Sequence, residues 1–591
     1  MNLRYAPRDG VLVLDVPQHE WARRSLVLKA MGARVLKPSG GVVSTLFPAT
    51  LIAAGTLYGE FPSSDINKDA SFDRWFALET ERQRWTFECR APIRKDGDDN
   101  GQLTWWRDEK GPVTEPYHHQ WTGTSWLIAS RRSLLLDDMG LGKTKEAIDA
   151  ACYLMDHDEV EGRVVVVCPN SVKQNWANEI SRHGWPPKLP VIVPDGRTWE
   201  RQHQIEATSE GWIILNYESL RYFQSSFHAA CKGAILIVDE AHRCKNREAK
   251  QTQAIATARP ERLWMLTGTP IANRLDDLWS LCHIVRPGLM GWTYWHFANR
   301  HIVYRERRGQ SGQTFRETIG FKDVETVRDR LAQIAVGRRK EDCLDLPGKV
   351  YEDRRIELSE EERSAYRNMQ ATLRAWFESS LECETGGNDR TMPVAIAQTF
   401  ATRLLRLRQI SDGLVSESAE GGHAWSKALT KLNAVVELWE DAGRRLVVWC
   451  AYVPVVDRLA AMFPNGTAWR LHGGIDASKR QGLIDYWGGS AAGVLVAQMD
   501  TGGEGLNLQA ADLEVFVDVP WTVKQRRQCE DRLHRIGQTR SVTVVDLIAH
   551  DTIDDMLLKR LEDRLKVADE TMSASMTVRE AREMLAQGRK R

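Results

Sequence analysis

Paired cysteines and zinc-ligand clusters are missing from this 591-residue chain. Its ten cysteines are scattered, with no C-x-x-C pair and no grouping of cysteine and histidine at zinc spacing. We therefore expect reduced, mostly packed thiols and no structural zinc. A dominant charge of one sign is missing too, since 80 Lys and Arg balance 80 Asp and Glu. This balance excludes a basic surface over the whole protein, so a polyanion would have to bind to a local stripe of basic residues.

Membrane spans and export signals are also missing. The best candidate span, 42–58, is short and contains Pro48, so we expect it in a globular core. Residues 1–9 have no apolar export region. These absences predict a cytoplasmic protein that has no membrane partner.

A glycine-rich motif, DDMGLGKT at 137–144, follows an apolar run and opens a helical pattern. Strand, glycine turn and helix together are the context of a phosphate-binding loop. Gly140, Leu141 and Gly142 would bring backbone N–H groups to phosphate oxygens, at the positive end of the helix dipole. This context predicts a nucleotide site.

The residues that flank these glycines would have separate roles. Lys143 would reach the β and γ phosphates of ATP, and the hydroxyl of Thr144 would hold Mg²⁺. The usual pattern of this loop begins with glycine, where this chain has Asp137. On its own, a Gly-Lys-Thr triplet at a helix start is as often an ordinary surface helix.

Two adjacent carboxylates end the apolar run 234–238. A buried parallel strand that delivers carboxylates at its C-terminal end is where an α/β sheet places its ligands. Asp239 is the natural Mg²⁺ ligand, and Glu240 is the candidate to orient or deprotonate the attacking water. An isolated acidic pair is more often a solvated turn, but its order after the phosphate loop favours an ATP site.

A glutamine and two arginines lie almost three hundred residues beyond the second motif: Gln528, Arg532 and Arg535. The arginines are three apart, which predicts that they share a helix face. Such pairs are usually solvated. Phosphoryl transfer builds charge on the γ phosphate, however, and a guanidinium inserted from a second domain offsets it only when the domains close. The three motifs together predict an ATP-driven motor.

These motifs resemble those of the Swi/Snf-type ATPases, the remodeller-like branch of helicase superfamily 2, from about 116 to 565. The family's phosphate loop also lacks the first glycine, and the residue corresponding to Gln120 reads the adenine edge. Its trans-lobe residues correspond to Gln528, Arg532 and Arg535. The similar segments are PYHHQWTGTSWL at 116–127, VVVVCPNSVKQNW at 164–176, DEAHRCKN at 239–246, LTGTPIANRLDDLWSLCHIVRP at 266–287, LLRLRQI at 404–410, LVVWC at 446–450, LHGG at 471–474, TGGEGLNL at 501–508 and QCEDRLHRIGQ at 528–538.

The resemblance also implies a cleft that tracks along DNA and is lined from both lobes. Phosphate contacts position a protein on DNA without reading bases, and they come from backbone N–H groups, hydroxyls and a few basic residues. The implied contacts are Ser171, Lys173, Asn216, His472, Gly473, Thr501, Gly502 and Trp521. Each could equally be an ordinary loop residue. Thr501 replaces an alanine common in the family.

The alternation of strand and helix patterns predicts an α/β fold with two RecA-like parallel-sheet lobes, helical insertions and a small N-terminal α+β accessory domain. Strands are expected at 133–136, 164–167, 212–216, 234–238 and 264–267 in the first lobe, and at 446–450, 494–497, 515–517 and 542–547 in the second. The domains expected are an accessory domain at 1–105, the ATP-binding lobe at 106–287, helical protrusions and a linker at 288–426, a second lobe at 427–550 and a brace helix with a tail at 551–591.

Three functions remain open at this stage. The first is a translocase on double-stranded DNA that couples ATP hydrolysis to lobe closure and remodels DNA or protein–DNA complexes. Its cofactors would be ATP and Mg²⁺, its partners duplex DNA and DNA-bound proteins, and its location the nucleoid in a prokaryote or virus. The second is a helicase that separates or anneals strands at forks. The third is a nucleotide-gated scaffold that binds DNA with little hydrolysis. The role of the accessory domain, in substrate recognition, packing or partner binding, is also open.

Overall fold

A computed structural model of the chain forms two compact units, Met1–Leu344 and Asp345–Arg591. The structure describes residues 1–6, 11–30, 33–36, 38–39, 42–48, 53–54, 57, 61, 65–77, 80, 112–157, 160, 162–185, 189–268, 275–308, 314–382, 394–417, 423–502 and 506–566. Residues 81–111 and the tail 567–591 therefore lie outside the described residues.

The first unit begins with a five-stranded mixed sheet in the order β3-β4-β2-β1-β5. Side chains of β4 alternate between buried and half-buried, as expected for a strand with one face on a core. The helix Gln18–Ala30 packs over this sheet. The strands are β1 (Asn2–Ala6), β2 (Val11–Pro17), β3 (Arg34–Val35), β4 (Val42–Pro48) and β5 (Asn67–Lys68).

This N-terminal sheet contacts the rest of the first unit through Arg34. The guanidinium of Arg34 lies 6.0 Å from the ring centroid of Trp292, at cation–π distance. Burial, together with the nearby charge of Arg34, lowers the pKa of His283 to about 4. Arg34 therefore faces a neutral imidazole and an indole.

The first lobe is built on a seven-stranded parallel sheet in the order β14-β6-β11-β10-β7-β9-β8. Its central strands are runs of Val, Ile and Leu because both faces are covered. Alternate residues face two separate cores; in β7, Val165 packs into one and Val166 into the other. The strands are β6 (Arg132–Leu135), β7 (Arg163–Cys168), β8 (Val191–Ile192), β9 (Gly211–Asn216), β10 (Ile235–Asp239), β11 (Arg262–Leu266) and β14 (Ala335–Val336).

Helices and one hairpin complete the first unit. The hairpin pairs β12 (Ile302–Arg308) with β13 (Thr314–Phe321) in antiparallel register. The further α-helices are His118–Ala129, Lys143–Asp156, Lys173–His183, Thr198–Ala207, Gln224–Cys231, Lys250–Thr257, Leu275–Val285, Tyr294–His301, Val324–Ala332 and Lys340–Cys343.

The second unit contains a six-stranded parallel sheet in the order β15-β22-β21-β18-β20-β19. Its strands are β15 (Lys349–Ile356), β18 (Leu446–Cys450), β19 (Ala468–Leu471), β20 (Val494–Gln498), β21 (Leu513–Phe516) and β22 (Val542–Ala549), and a small hairpin joins β16 (Leu414–Glu417) to β17 (His423–Trp425). The α-helices are Glu360–Glu382, Val394–Ser411, Thr430–Ala442, Val453–Ala460, Ala477–Gly489, Met499–Gly502, Val523–Leu533 and Ile553–Lys566.

The predicted α/β fold with two parallel-sheet lobes is confirmed, and all nine strands predicted for the lobes are present within one to two residues. Four strands of the two sheets have no counterpart in the predictions: β8, β14, β15 and β19. Two of them come from the segment 288–426, which thus adds one edge strand to each sheet. Among the described residues, no helix is long and apolar enough to span a bilayer.

Candidate functional site

The phosphate loop connects β6 to the helix Lys143–Asp156, in the predicted context. Gly140 and Gly142 have φ of +84° and +91°, which favour glycine because a Cβ clashes in this region. The loop curls around the ammonium group of Lys143, whose Nζ donates hydrogen bonds to the carbonyl oxygens of Asp137 (2.7 Å) and Asp138 (3.1 Å). Lys143 is thus held at the start of the helix. The free backbone N–H groups of the first helical turn lie there too, and they could bind a phosphate.

Gln120 lies against this loop, buried to 3% exposure. Its Nε2 donates to the carbonyl oxygen of Leu141 (3.0 Å), and its Oε1 accepts from the amide of Tyr117 (3.0 Å). A Cβ added at Gly142 would overlap Gln120 Nε2. Both ends of the Gln120 amide therefore bind backbone, and adenine recognition by Gln120 stays a prediction that requires these bonds to change.

The acidic pair lies at the C-terminal end of β10, two strands from β6 in the sheet. Asp239 is held by three groups: its Oδ2 accepts from Trp176 Nε1 (2.8 Å), its Oδ1 accepts from the amide of Glu240 (2.9 Å), and its carbonyl accepts from the hydroxyl of Tyr217 (2.6 Å). Burial raises the pKa of Asp239 to about 6, with a contribution from the charge of Glu240. Lys143 lies close enough to oppose this rise. A cation placed here would favour the ionised carboxylate.

Glu240 has an unusual backbone for a non-glycine residue, with φ of +51° in the left-handed region. Such residues cost on the order of 1–3 kcal/mol and cluster at functional sites. Glu240 Oε2 lies 3.2 Å from Nδ1 of His242, which in turn lies 3.5 Å from Oγ1 of Thr267 at the end of β11. The carboxylate of Glu240 therefore lies beside His242, just after the C-terminal end of β10.

The strand order of the first lobe sorts the predicted residues into two groups along one edge. Because the strands are parallel, their C-terminal ends all meet at that edge. The residues predicted to bind nucleotide follow β6 and β10, which flank β11. The residues predicted to bind DNA follow the next strands: Ser171 and Lys173 come after β7, and Asn216 ends β9. The two groups are thus neighbours without overlap.

The three residues predicted to contact DNA in this lobe lie at turns that begin helices. Ser171 is in the 3₁₀ turn Asn170–Val172, and Lys173 begins the helix Lys173–His183. Asn216 precedes a 3₁₀ turn; its Nδ2 donates to Glu218 Oε2 (2.9 Å), and its Oδ1 accepts from Ser219 Oγ. Ser171, Lys173 and Asn216 are all partly exposed.

In the second unit, Gln528 and Arg532 lie on the helix Val523–Leu533. The prediction that Arg535 shares a helix face with Arg532 is wrong, because the helix ends at Leu533 and Arg535 lies in the turn beyond it. The chain turns here through Gly537, which has φ of +97°. Arg532 is 8% exposed, and its Nε donates to the carbonyl oxygen of Gln528 (3.0 Å). Nη1 of Arg535 donates to the carbonyl oxygen of Leu506 (3.4 Å).

The residues predicted to contact DNA in the second unit follow β19, β20 and β21. His472 and Gly473 come directly after β19, and Thr501 and Gly502 lie in the short helix after β20. A Cβ at Gly473 would lie 3.7 Å from Thr501 Oγ1, so these two loops touch. Trp521 lies beyond β21, with the guanidinium of Arg408 4.7 Å from its ring centroid.

Several residues that position this site were missed from the sequence. Trp176 and Tyr217 hold Asp239, although each is an ordinary apolar position in the pattern. Gly268 approaches the phosphate loop so closely that an added Cβ would lie 2.7 Å from Met139 Cγ and 3.3 Å from Lys143 Nζ. The glycine in the Thr-Gly-Thr triplet at 267–269 was the signal for that approach. Residues 269–274 and 503–505, which belong to two of the quoted motifs, lie outside the described residues.

Two family models match the chain. Residues 119–413 match the SNF2-related domain, and residues 429–537 match the helicase conserved C-terminal domain. Among similar proteins, a probable ATP-dependent DNA helicase, CHR12, of Arabidopsis thaliana is 26% identical over 497 residues, which are 79% of this chain and 43% of that protein. The nuclear protein STH1/NPS1 of Saccharomyces cerevisiae is 26% identical over 483 residues, 77% of this chain and 35% of that protein. A chromodomain-helicase-DNA-binding protein 1-like of Mus musculus is 27% identical over 470 residues, 76% and 49% of the two chains.

The match spans less than half the length of each of these relatives. Among solved structures, the Sulfolobus solfataricus SWI2/SNF2 ATPase core in complex with dsDNA is 23% identical, with a TM-score of 0.36, and the match covers 77% of this chain and 96% of that one. The matched regions contain the phosphate loop, the acidic pair and the arginine motif described above. The chain belongs to the SNF2-related, Swi/Snf-type ATPases of helicase superfamily 2.

Proposed function

We propose that this chain is a DNA-dependent ATPase that uses ATP and Mg²⁺ to track along the phosphate backbone of double-stranded DNA, without obligatory strand separation. The observation that carries the proposal is the strand order of the first lobe. It places the candidate ATP residues and the candidate DNA residues side by side on one sheet edge. A change at one group can therefore reach the other through neighbouring strands.

On the ATP side, the loop residues would bind the phosphates and Glu240 would activate the attacking water. Lys143 would exchange the carbonyl oxygens of Asp137 and Asp138 for phosphate oxygens, and the backbone amides after Gly142 would bind the same group. Glu240, which has a left-handed backbone beside the phosphate loop's neighbouring strands, would orient the attacking water and accept its proton. Gln528, Arg532 and Arg535 of the second unit would complete the site on lobe closure.

Mg²⁺ suits the oxygens available beside the loop. Asp239 is buried enough for its pKa to rise to about 6, and a hard dication prefers carboxylate and hydroxyl oxygens. Thr144 and Asp239 would hold the ion, and Trp176 and the Glu240 amide fix the carboxylate while leaving further lone pairs. Bound there, the ion would neutralise charge on the β and γ phosphates.

The names of the relatives support DNA as the polymer, since they include a DNA helicase and a helicase-DNA-binding protein. The candidate contacts Ser171, Lys173, Asn216, His472, Gly473, Thr501, Gly502 and Trp521 are mostly small or polar. Such groups contact phosphates and leave bases unread. We therefore expect tracking that is independent of sequence and that displaces or remodels proteins bound ahead.

The test is displacement of a third strand from a DNA triplex with ATP. We expect displacement by the parent chain and none by Lys143→Ala or Glu240→Gln, because the first loses the phosphate ligand and the second the base. Glu437→Gln, at a 61%-exposed side chain in the second unit, is a matched control for the second variant. Equal displacement by parent and variants would contradict the proposal.

A forked substrate with both strands labelled distinguishes translocation from strand separation. We expect triplex displacement without release of fork strands; release at the same rate would favour a strand-separating helicase. ATP turnover measured with no DNA, single strands, duplex and fork completes the test. Turnover that stays at background with every DNA would leave only a nucleotide-gated scaffold.

A further inference from the structure

The phosphate loop is hydrogen-bonded to the segment that leads out of the first unit. The ladder between β6 and β14 continues past both strands, since the amide of Leu136 donates to the Val336 carbonyl (2.8 Å) and that of Asp138 to the Arg338 carbonyl (3.0 Å). The amide of Lys340 then donates to Asp138 Oδ2 (2.9 Å). The chain therefore leaves the first lobe along the loop itself.

Arg338 fastens this segment with its side chain as well. Its backbone amide and its Nε both donate to Asp137 Oδ1 at 3.0 Å, and Nη2 contacts Asp137 Oδ2. Nη2 also donates to Glu146 Oε2 (2.9 Å), and Nη1 contacts the His119 carbonyl. One guanidinium thus holds the first residue of the loop, the helix that follows the loop and the helix that carries Gln120.

The cluster is sealed from water and closely packed. The side chain of Arg338 is 6% exposed, and those of Asp137 and Glu146 are 0% exposed. A Cβ at Gly123 would overlap both Glu146 Oε2 and Arg338 Nη2, so only glycine leaves room for the pair. Loss of Arg338 would leave two buried carboxylates without their counter-ion.

The location of this cluster argues for more than stability. Asp137 and Asp138 supply the carbonyl oxygens that bind Lys143 Nζ, and their carboxylates bind the segment Arg338–Lys340. When phosphates draw Lys143 away, both aspartates lose a hydrogen bond on one side. Their carboxylates stay bound to the exit segment, so a movement of the loop is transmitted to that segment directly.

The same stretch of chain is fastened again after it enters the second unit. Lys349 Nζ donates to Glu530 Oε2 (2.6 Å), and His534 Nε2 lies 2.8 Å from the carbonyl oxygen of Pro347. Glu530 lies on the helix Val523–Leu533, and His534 follows it directly. One covalent segment is therefore fixed at one end to the phosphate loop and at the other to the helix of the arginine motif.

We propose that Arg338 is a positioning residue that couples the phosphate loop to the segment Arg338–Tyr351, an inference that rests on the proposed function. When a nucleotide binds or leaves, the phosphate loop moves, and Asp137 transmits this movement to Arg338. The segment Arg338–Tyr351 then transmits it along the chain to the helix that bears Gln528 and Arg532. Arg338 touches no phosphate in this role; it acts through Asp137 and Glu146.

Hydrogen exchange on the full chain tests the first step. With Mg²⁺ and a non-hydrolysable ATP analogue, adenylyl imidodiphosphate, we expect slower exchange at amides 140–144 and also at 338–340. In Arg338→Met we expect protection at 140–144 alone, because the link to the exit segment is lost. Arg339→Ala is the matched control, since that side chain is 76% exposed and pairs with Glu341. It should behave as the parent.

The outcomes separate the two proposals. Protection at 140–144 of the parent without any change at 338–340 would overturn the role of Arg338 while leaving the proposed function standing. No protection at either segment would count against ATP binding itself and so against the proposed function.

Steady-state ATP turnover with duplex DNA tests the second step. Arg338→Met should lower kcat about tenfold or more, as small misplacements of catalytic groups do. Arg338→Lys should have a kcat between those of the parent and Arg338→Met, because lysine keeps the charge but lacks the bidentate guanidinium. Four residues, Gly-Ser-Gly-Ser, inserted between Asp345 and Leu346 leave both fastenings in place. This insertion should lower kcat with little change in KM for ATP.

A purely structural role predicts a different pattern. Arg338→Met would then match the parent in kcat and KM, once the folded fraction is counted by titrating nucleotide sites. That result would overturn the proposal. If Arg338→Met does not fold, the insertion variant decides between the two roles, because it keeps the hydrogen bonds at both ends of the segment. An unchanged kcat would contradict the coupling, and a lower kcat at constant KM would support it.

Discussion

At the scale of single residues, Gly142 is required for two reasons that can be separated: its backbone conformation and the lack of space beside Gln120. Its φ of +91° disfavours any Cβ, and an added Cβ would also overlap Gln120 Nε2. Gly466 has a similar φ of +83° but nothing within 4 Å of an added Cβ. The pair therefore distinguishes backbone strain from crowding against the Gln120 amide.

We predict that Gly142→Ala weakens ATP binding at least tenfold, whereas Gly466→Ala leaves it unchanged. Each substitution should also cost about 1–2 kcal/mol of stability from the left-handed backbone. Equilibrium binding of a fluorescent ATP analogue and thermal melting measure the two effects. Equal ATP affinity for Gly142→Ala and the parent would contradict a role for the contact with Gln120.

Glu514 is a second single residue with a measurable consequence. It is fully buried in β21, where its Oε2 accepts from Trp449 Nε1 (2.7 Å). Burial raises the pKa of Glu514 to about 8, and the charge of Glu530 adds to the rise. Since this folded pKa lies above the unfolded one, the contribution of Glu514 to stability is largest at low pH and falls as pH rises from about 4.3 to 8.

We predict that Glu514→Gln stabilises the second unit at pH 8, by on the order of 3–5 kcal/mol, and flattens the dependence of its melting temperature on pH between 5 and 9. Glutamine keeps an oxygen for Trp449 without a charge. Glu437→Gln, at an exposed position, is the control and should change neither. A melting profile of Glu514→Gln that parallels the parent across this range would contradict the prediction.

At the scale of elements, Lys431 holds three pieces of the second unit together. Its ammonium is fully buried and donates to Asp412 Oδ1 (3.0 Å) and Asp554 Oδ2 (2.7 Å). Asp412 follows the helix Val394–Ser411, and Asp554 lies in the first turn of Ile553–Lys566. Burial raises the pKa of Asp412 well above its usual value, so its charge in the folded chain depends on Lys431.

We predict that Lys431→Met destabilises the second unit by about 3–5 kcal/mol, because it leaves buried carboxylates unpaired. Faster exchange of amides in the helix Ile553–Lys566 should accompany the loss. Lys427→Met, at an exposed lysine, is the control. A drop in melting temperature no larger for Lys431→Met than for this control would contradict the prediction.

The strands and helices also show which parts of the fold the sequence could predict. The central strands β7, β10 and β18 were predicted because burial on both faces demands unbroken apolar runs. The edge strands β8 and β14 have two residues each, too few for a pattern. Arg535 was placed on a helix because periodicity alone does not locate a helix end.

The candidate site shows the same limit. Motif residues such as Lys143 and Asp239 were predictable because their chemistry requires fixed neighbours in sequence. Arg338 was not, since Asp137 lies 201 residues away and no local pattern links them. Whether the predicted DNA contacts bind DNA stays a prediction.

At the scale of the whole molecule, zero net charge means that the proposed DNA binding must depend on local contacts. We predict that Lys173→Ala weakens binding to all duplex sequences alike and lowers the salt dependence, d log K/d log [salt], by about 1. Lys232→Ala is the control, because this exposed lysine precedes β10 and so lies at the opposite edge of the sheet. Titrations at several salt concentrations measure both. Equal slopes for Lys173→Ala and the parent would remove Lys173 from the DNA surface.

The parallel sheet of the first lobe has one mechanical consequence. Neighbouring strands that share a ladder of hydrogen bonds form a stiff unit, so the candidate nucleotide loop after β6 and the candidate DNA contact after β9 keep a fixed separation. Under the proposed function, the movement that drives translocation cannot arise from stretching of this sheet. It must come from the loops at the C-terminal edge of the sheet and from the segment of chain that leaves the sheet beside Asp137.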